Sequence, residues 1–505
     1  MDSPIVTQLF RQLFHHRPCP QRLSSYTPKY SSSSPLSSIT TATHHERRQY
    51  VTRSSKSDTK SKSNWQQRLD WLPGDKAKEI KDYPTVTSES LRGRRERPRR
   101  VKLSMRDFIE DSLYNPNYGY FSKHAVIFHP GDPFDFNSMR SEPEFQRILD
   151  QRYRQFEDEL DAKNPDDTRQ LWHTPTELFQ PYYGEAIADY LVTNYKHTSY
   201  PYHDLIIYEM GAGNGTLMLN ILDFIRYTDP EVYARTKFKI IEISSSLADL
   251  QRRQVDTSTY ARGHADHVSI INRSIFEWDS IVPSPCFFLA LEVFDNFAHD
   301  CLRYDPITEQ PMQGNVLIDA DGEFYEFYTR TLSPAVKRYL RVRDAASTTR
   351  YDNPLLRAPK LIRQLRSQLP FAPNLTDPEY IPSRLLDFFN ILHRYFPAHR
   401  LLASDFHYLP GAIRGINAPV VQTRYQRRVV PVSTPLVEQG YFDILFPTDF
   451  NLIEDIYRAT TGKLTRVLTH EAFLSGWADL EETETRNGEN PMLSWYKNAS
   501  VLITV

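Results

Sequence analysis

Three glycines at alternate positions follow one short apolar run, in Tyr208-Glu209-Met210-Gly211-Ala212-Gly213-Asn214-Gly215-Thr216. Without a Cβ, a glycine-rich backbone can turn tightly from strand to helix and lie close to a ligand. Two cofactor classes use such a turn. Dinucleotide folds space the glycines G-x-G-x-x-G and set a pyrophosphate on the helix N-terminus. Here the spacing is G-x-G-x-G, with Glu209 two residues before the first glycine. S-adenosylmethionine has no phosphate; it carries an α-ammonium, a sulfonium and a ribose. A carboxylate beside the loop suits that cation better than a pyrophosphate dianion. By itself the loop also fits a purely structural turn.

Further carboxylates fall at the ends of other apolar runs. Glu242 closes Phe238-Lys239-Ile240-Ile241 about thirty residues past the loop. There it can accept hydrogen bonds from both ribose hydroxyls, in a nicotinamide nucleotide as well as in S-adenosylmethionine. Glu292 and Asp295 follow Cys286–Leu291. Two carboxylates there could pair with a guanidinium and aim a nitrogen at the sulfonium. Equally, Asp295 could cap a helix and Glu292 order the loop. His407, after Arg400–Asp405, could take a proton or hydrogen-bond a substrate, though a lone histidine is more often structural. No metal site is expected, because the three cysteines are few and scattered.

Alternating strands and helices must position these groups. Short apolar runs at 204–209, 238–243, 268–271 and 286–291 read as buried parallel strands, with helical spacing at 216–226 and 244–254 between them. The pattern resumes at 400–405 and ends in an apolar strand at 499–505. Ser104 with Asp107 predicts a capped helix that stops at Asn115-Pro116. The charged stretch 135–167 reads as a surface insertion carrying a helix over 142–160. The expected fold is α/β, a Rossmann-like class I methyltransferase sheet with an N-terminal helical segment and an inserted cap.

The chain has 505 residues, 40% hydrophobic and 25% charged, enough for a large globular core. A net charge of −2 offers no electrostatic case for nucleic acid. No apolar run approaches the ~18 residues of a membrane-spanning helix. The first 45 residues are rich in Arg and Ser, hold one acidic residue, Asp2, and place Ile5, Leu9, Phe10, Leu13 and Phe14 on one helical stripe. That is the mitochondrial presequence pattern. The expected organisation is a presequence over 1–45, a disordered basic linker over 46–100 and a helical region with its insertion over 101–200. A cofactor-binding core follows over 201–304, an inserted cap or substrate region over 305–397, and the rest of the sheet over 398–505.

Several strings together resemble the MidA-like mitochondrial arginine methyltransferases that assist assembly of respiratory complex I. They are Tyr114-Asn115-Pro116-Asn117-Tyr118-Gly119-Tyr120-Phe121, Thr174-Pro175-Thr176-Glu177, Tyr183-Gly184-Glu185, Glu209–Leu217, Ile241-Glu242-Ile243-Ser244 and Glu292-Val293-Phe294-Asp295-Asn296-Phe297-Ala298. In the last string Asn296 stands where the motif has alanine and Ala298 where it has proline. The resemblance implies S-adenosylmethionine as cofactor, arginine of a complex I subunit as acceptor, and the mitochondrial matrix as location. Two other readings stay open: a methyltransferase fold kept as a non-catalytic assembly scaffold, and a methyltransferase with a different acceptor. The glycine spacing speaks against a nicotinamide-dependent oxidoreductase. Oligomeric state is not legible in the sequence.

Overall fold

A computed structural model describes residues 76–123, 125–254, 262–347, 351–369 and 373–505. The expected presequence lies outside the described residues, as does the first part of the expected linker.

Seven strands form the central sheet: β1 (Leu205–Met210), β2 (Thr236–Glu242), β3 (Val268–Asn272), β4 (Cys286–Leu291), β5 (His399–Phe406), β6 (Thr465–Thr469) and β7 (Ala499–Thr504). Their order is β6-β7-β5-β4-β1-β2-β3. Neighbours from β3 across to β5 pair in parallel, whereas β7 runs antiparallel to both β5 and β6. Strand order therefore reverses between β1 and β4, which opens a crevice at the carboxyl ends of the strands, where such sheets bind ligands.

Both faces of the sheet are covered, so its inner strands alternate between two cores. Ile207, Phe287 and Leu289 belong to one core and Tyr208, Cys286 and Phe288 to the other. α1 (Met105–Tyr114) starts as the sequence predicts: Ser104 Oγ accepts the Asp107 N–H at 3.0 Å. α2 (Glu142–Lys163) matches the helix expected in the charged stretch. That stretch is more than a surface decoration, because Phe136, Met139, Phe145 and Leu149 are buried in the first core. α3 (Tyr182–Thr198) and α4 (Thr216–Thr228) pack into the same core. α5 (Ser245–Gln254) follows β2. On the opposite face lie α6 (Pro334–Ala346), α7 (Ser383–Tyr395) and α8 (Phe450–Thr461).

Two expectations need correction. Residues 76–100 are ordered, although the linker was expected to be disordered to 100. Leu91 is fully buried, and Arg97 is held in place: its Nε donates to Gln439 O at 2.7 Å and its guanidinium lies over the Tyr118 and Tyr441 rings. The 305–397 segment is also not a roof over the crevice. Its strands Pro311–Ile318, Phe324–Thr329 and Glu379–Ile381 join Val101–Ser104 and Asp300–Tyr304 in a separate antiparallel sheet, and α6 and α7 pack on the face of the central sheet.

The roof comes from chain segments far apart in sequence. One is 114–127; the other is 409–445, with the three-stranded sheet of Val420–Tyr425, Arg428–Val432 and Asp443–Leu445. The two meet at Gly440, where φ is +88° and a Cβ would fall 1.7 Å from Tyr118 O, so only glycine fits. Next to it, Gln439 Nε2 donates to Asp111 Oδ2 at 2.7 Å.

Candidate active site

The crevice is a cavity of about 520 Å³, a size suited to a nucleoside-sized ligand and an acceptor side chain. Gly211, Gly213, Glu242, Glu292 and Asp295 line it. The loop after β1 has left-handed backbone at Gly211, Gly213 and Gly215, and Gly215 is the N-cap of α4. A Cβ at Gly213 would lie 2.5 Å from Ile127 Cδ1, so the loop is compressed beneath the N-terminal roof. The loop is also tied down by Glu177, a buried carboxylate on the short helix Pro175–Leu178. Glu177 accepts from Thr216 Oγ1 (2.7 Å) and Asn214 Nδ2 (3.0 Å), and pairs with His129 Nδ1 (2.7 Å). That pairing raises the His129 pKa.

Glu209 is buried directly behind the loop, and its Oε2 has no hydrogen-bond partner. Burial pushes its pKa up to about 8, and nearby Glu242 adds to the shift. Glu242 ends β2 and is held in place: Oε1 accepts the Ser244 N–H at 2.9 Å and Oε2 accepts Gln251 Nε2 at 3.1 Å. Gln251 Nε2 also donates to Gly213 O at 2.9 Å, locking the second strand to the glycine loop. A smaller crevice of about 100 Å³ continues past Glu242 between Ile243, Ile275 and Phe276. Its apolar walls suit a planar ring.

These features fit S-adenosylmethionine. Gly211 and Gly213 bring backbone to the cavity wall, the Glu209 carboxyl behind them keeps Oε2 without a partner among the described residues, and the Glu242 carboxylate borders a slot for the base.

The other end of the cavity is acidic. Glu292 follows β4 with φ +52°, a strained conformation for a residue with a side chain. Its N–H donates to Ser404 O at 2.8 Å, which fixes it to β5. Asp405, the penultimate residue of β5, accepts the Phe294 and Asp295 N–H groups through Oδ2 (2.7 and 3.2 Å). It thereby shapes the whole 292–296 loop. Asp295 is 3% exposed and its Oδ1 has no partner. It does not cap a helix; the segment after it is a turn leading into the strand Asp300–Tyr304. Asp443, from the roof sheet, completes the group.

Burial raises all four of these carboxyl pKa values. Glu292 is pushed to about 8, and Asp405 and Asp443 to about 7. Asp295 rises well above the usual range, through burial first and then the charges of Asp405, Asp443 and Glu292. Among the described residues no Lys or Arg forms an ion pair with any of them. Nor is any group of three such side chains arranged to hold a metal ion. The cluster therefore suits a cation whose hydrogen-bond donors are spread over several atoms.

His407 does not join this group. It is exposed, its N–H donates to Asn498 O at 2.8 Å, and Nδ1 meets Ser500 Oγ at 3.0 Å. Its neighbours Phe406 and Asn498 line the cavity, but His407 itself does not, which corrects its expected place beside the substrate. Conversely, Glu177, Asp405 and Asp443 were not among the expected site residues. Glu177 and Asp405 stood in strings already singled out. Asp443 carried no local signal.

Residues 186–469 match a family model described as "Putative S-adenosyl-L-methionine-dependent methyltransferase". The chain is similar to "Protein arginine methyltransferase NDUFAF7 homolog, mitochondrial" of Schizosaccharomyces pombe, 25% identical over 393 residues, 75% of this chain and 80% of that protein. Its fold is similar to that of a Burkholderia thailandensis superfamily member crystallised with S-adenosyl-homocysteine. The TM-score is 0.50 and the identity 15%, with 86% of this chain and 95% of the other covered.

Proposed function

Since the chain belongs to the family of S-adenosyl-L-methionine-dependent methyltransferases, we propose that it methylates arginine side chains of a protein, and that Glu292 and Asp295 hold the acceptor guanidinium. The observation that carries this reading is the acidic end of the cavity, where buried Asp295 keeps Oδ1 without a partner and no Lys or Arg among the described residues pairs with it. The name of the fission yeast relative supports arginine as acceptor and the mitochondrion as location. The resemblance to the MidA-like methyltransferases supports a complex I subunit as substrate, assembly as the role, and the matrix as the compartment.

Glu209, the glycine loop and Glu242 would hold the cofactor. When bound, S-adenosylmethionine supplies an electrophilic methyl group on a sulfonium. Ionised Glu292 and Asp295 accept N–H bonds from the guanidinium, which fixes its plane and directs one nitrogen toward the cofactor end. As that nitrogen forms its bond to carbon, the carbon–sulfur bond breaks and its electron pair stays on sulfur. One N–H proton is then surplus, and Glu292, with its raised pKa, is suited to take it. Tyr114 and Phe121 of the roof, with Trp172 beside the cavity, exclude water around the charges.

The test is incubation of the purified chain with radiolabelled S-adenosylmethionine and mitochondrial extract, followed by amino-acid analysis of labelled protein. Label on methylarginine is expected. Label on another residue alone, or no label, would reject the reading.

A further inference from the structure

Asp443 lies 147 residues beyond Asn296 in the chain, yet Asn296 Nδ2 donates to Asp443 Oδ1 at 3.0 Å and to Ile444 O at 3.4 Å. Asp443 is 2% exposed and still lines the cavity. Its strand is registered against the roof sheet through Gln422, and Phe446 just beyond it donates its N–H to Asp295 O at 2.8 Å. Asn296 thus holds the carboxylate, and the backbone contacts hold its strand. The motif that this chain resembles has alanine at position 296, which could not make either bond.

A guanidinium carries five N–H donors on three nitrogens in one plane. One nitrogen must present a face to the methyl group, so the other two need acceptors on the far side. In a dry cavity a donor left without one is costly. Glu292 and Asp295 both come from the loop after β4 and reach from one side; Asp443 reaches from the roof. We propose that Asp443 is a third carboxylate contacting the guanidinium and that Asn296 is its positioning residue, so that the pair selects a planar guanidinium over a primary ammonium. This rests on the arginine reading above.

Protonation gives a second handle. Burial raises the Asp443 pKa to about 7, and the Asn296 hydrogen bond works against that rise. Asp295 from the loop, Tyr114 from α1 and Tyr120 from the roof are the titratable groups whose charge couples to it. Binding of the guanidinium requires ionised Asp443, so it is strong above that pKa and is lost as pH falls through it. Removing Asn296 should move the loss to higher pH.

The experiment measures n-butylguanidinium and n-butylammonium binding to the full chain loaded with S-adenosyl-homocysteine, by ligand-observed nuclear magnetic resonance across pH 6 to 9. Wild type should prefer the guanidinium. Asp443→Asn should weaken guanidinium binding about tenfold or more, with S-adenosyl-homocysteine affinity unchanged within about twofold. Asn296→Ala, which installs the motif's residue, should weaken it about threefold and shift its acid limb upward. Undiminished guanidinium binding in Asp443→Asn, or an unmoved acid limb in Asn296→Ala, overturns the inference and leaves the arginine reading standing. If wild type itself does not bind the guanidinium, the arginine reading falls and the inference with it.

Discussion

The two ends of the cavity treat buried charge in opposite ways. At the cofactor end most polar groups are already satisfied: Glu177 takes two donors from the glycine loop, and Glu242 takes two from the start of α5 and from Gln251. At the acidic end four buried carboxyls have no Lys or Arg ion-pair partner among the described residues, and Asp295 Oδ1 has no hydrogen-bond partner. The first end is largely preorganised, with Glu209 as its one carboxyl that keeps a buried oxygen without a partner among the described residues. At the second end burial disfavours ionisation, so under the proposed reading a cationic substrate and the ionised carboxyls would favour one another.

The sharpest way to break this contrast is Glu292→Gln. Methyl transfer should fall by about a hundredfold or more, while S-adenosyl-homocysteine affinity stays within about twofold. Full activity would remove Glu292 from the chemistry. The converse change is Gly213→Val, which should weaken S-adenosyl-homocysteine binding by about tenfold or more through backbone strain and the clash with Ile127. Adding Ile127→Ala should restore part of the loss; if it restores none, the roof contact is not the cause.

Next comes pH. Because burial holds the acceptor carboxyls above their ordinary range, kcat/KM should drop as pH falls through 8 to 6, by approaching tenfold per unit at the acid end. A bound guanidinium favours the ionised forms, so the kcat profile should lie at lower pH than the kcat/KM profile. Coincident profiles would contradict the coupling. The smallest effect belongs to His407→Ala, which should leave both parameters within about twofold, since its ring meets Ser500 outside the cavity. A large loss would return His407 to the site.

The same contrast explains what could be read from the chain. Cofactor-end residues are local in sequence: the glycine loop, its preceding strand and Glu242 announce themselves by spacing and apolar runs, and the fold follows from that alternation. Glu292 and Asp295 were also legible, because they sit at a strand end. Asp443 was not, because its role exists only once a distant sheet folds over the crevice. Asn296 read as drift from a motif, and its side chain acquires meaning only beside Asp443. The 305–397 segment was expected to be a cap because it interrupts the strand rhythm. Interruption marks an insertion, but it does not say on which side of the sheet the insertion packs.

The contact at Gly440 and Tyr118 has a consequence for the order in which the molecule matures. It closes a loop of more than 300 residues, as does the bond between Gln439 and Asp111. Contacts of such separation carry a large entropic barrier and form late. The glycine loop needs only its own strand, its helix and nearby neighbours. A folding chain would therefore shape the glycine loop and its strand before the roof closes over them.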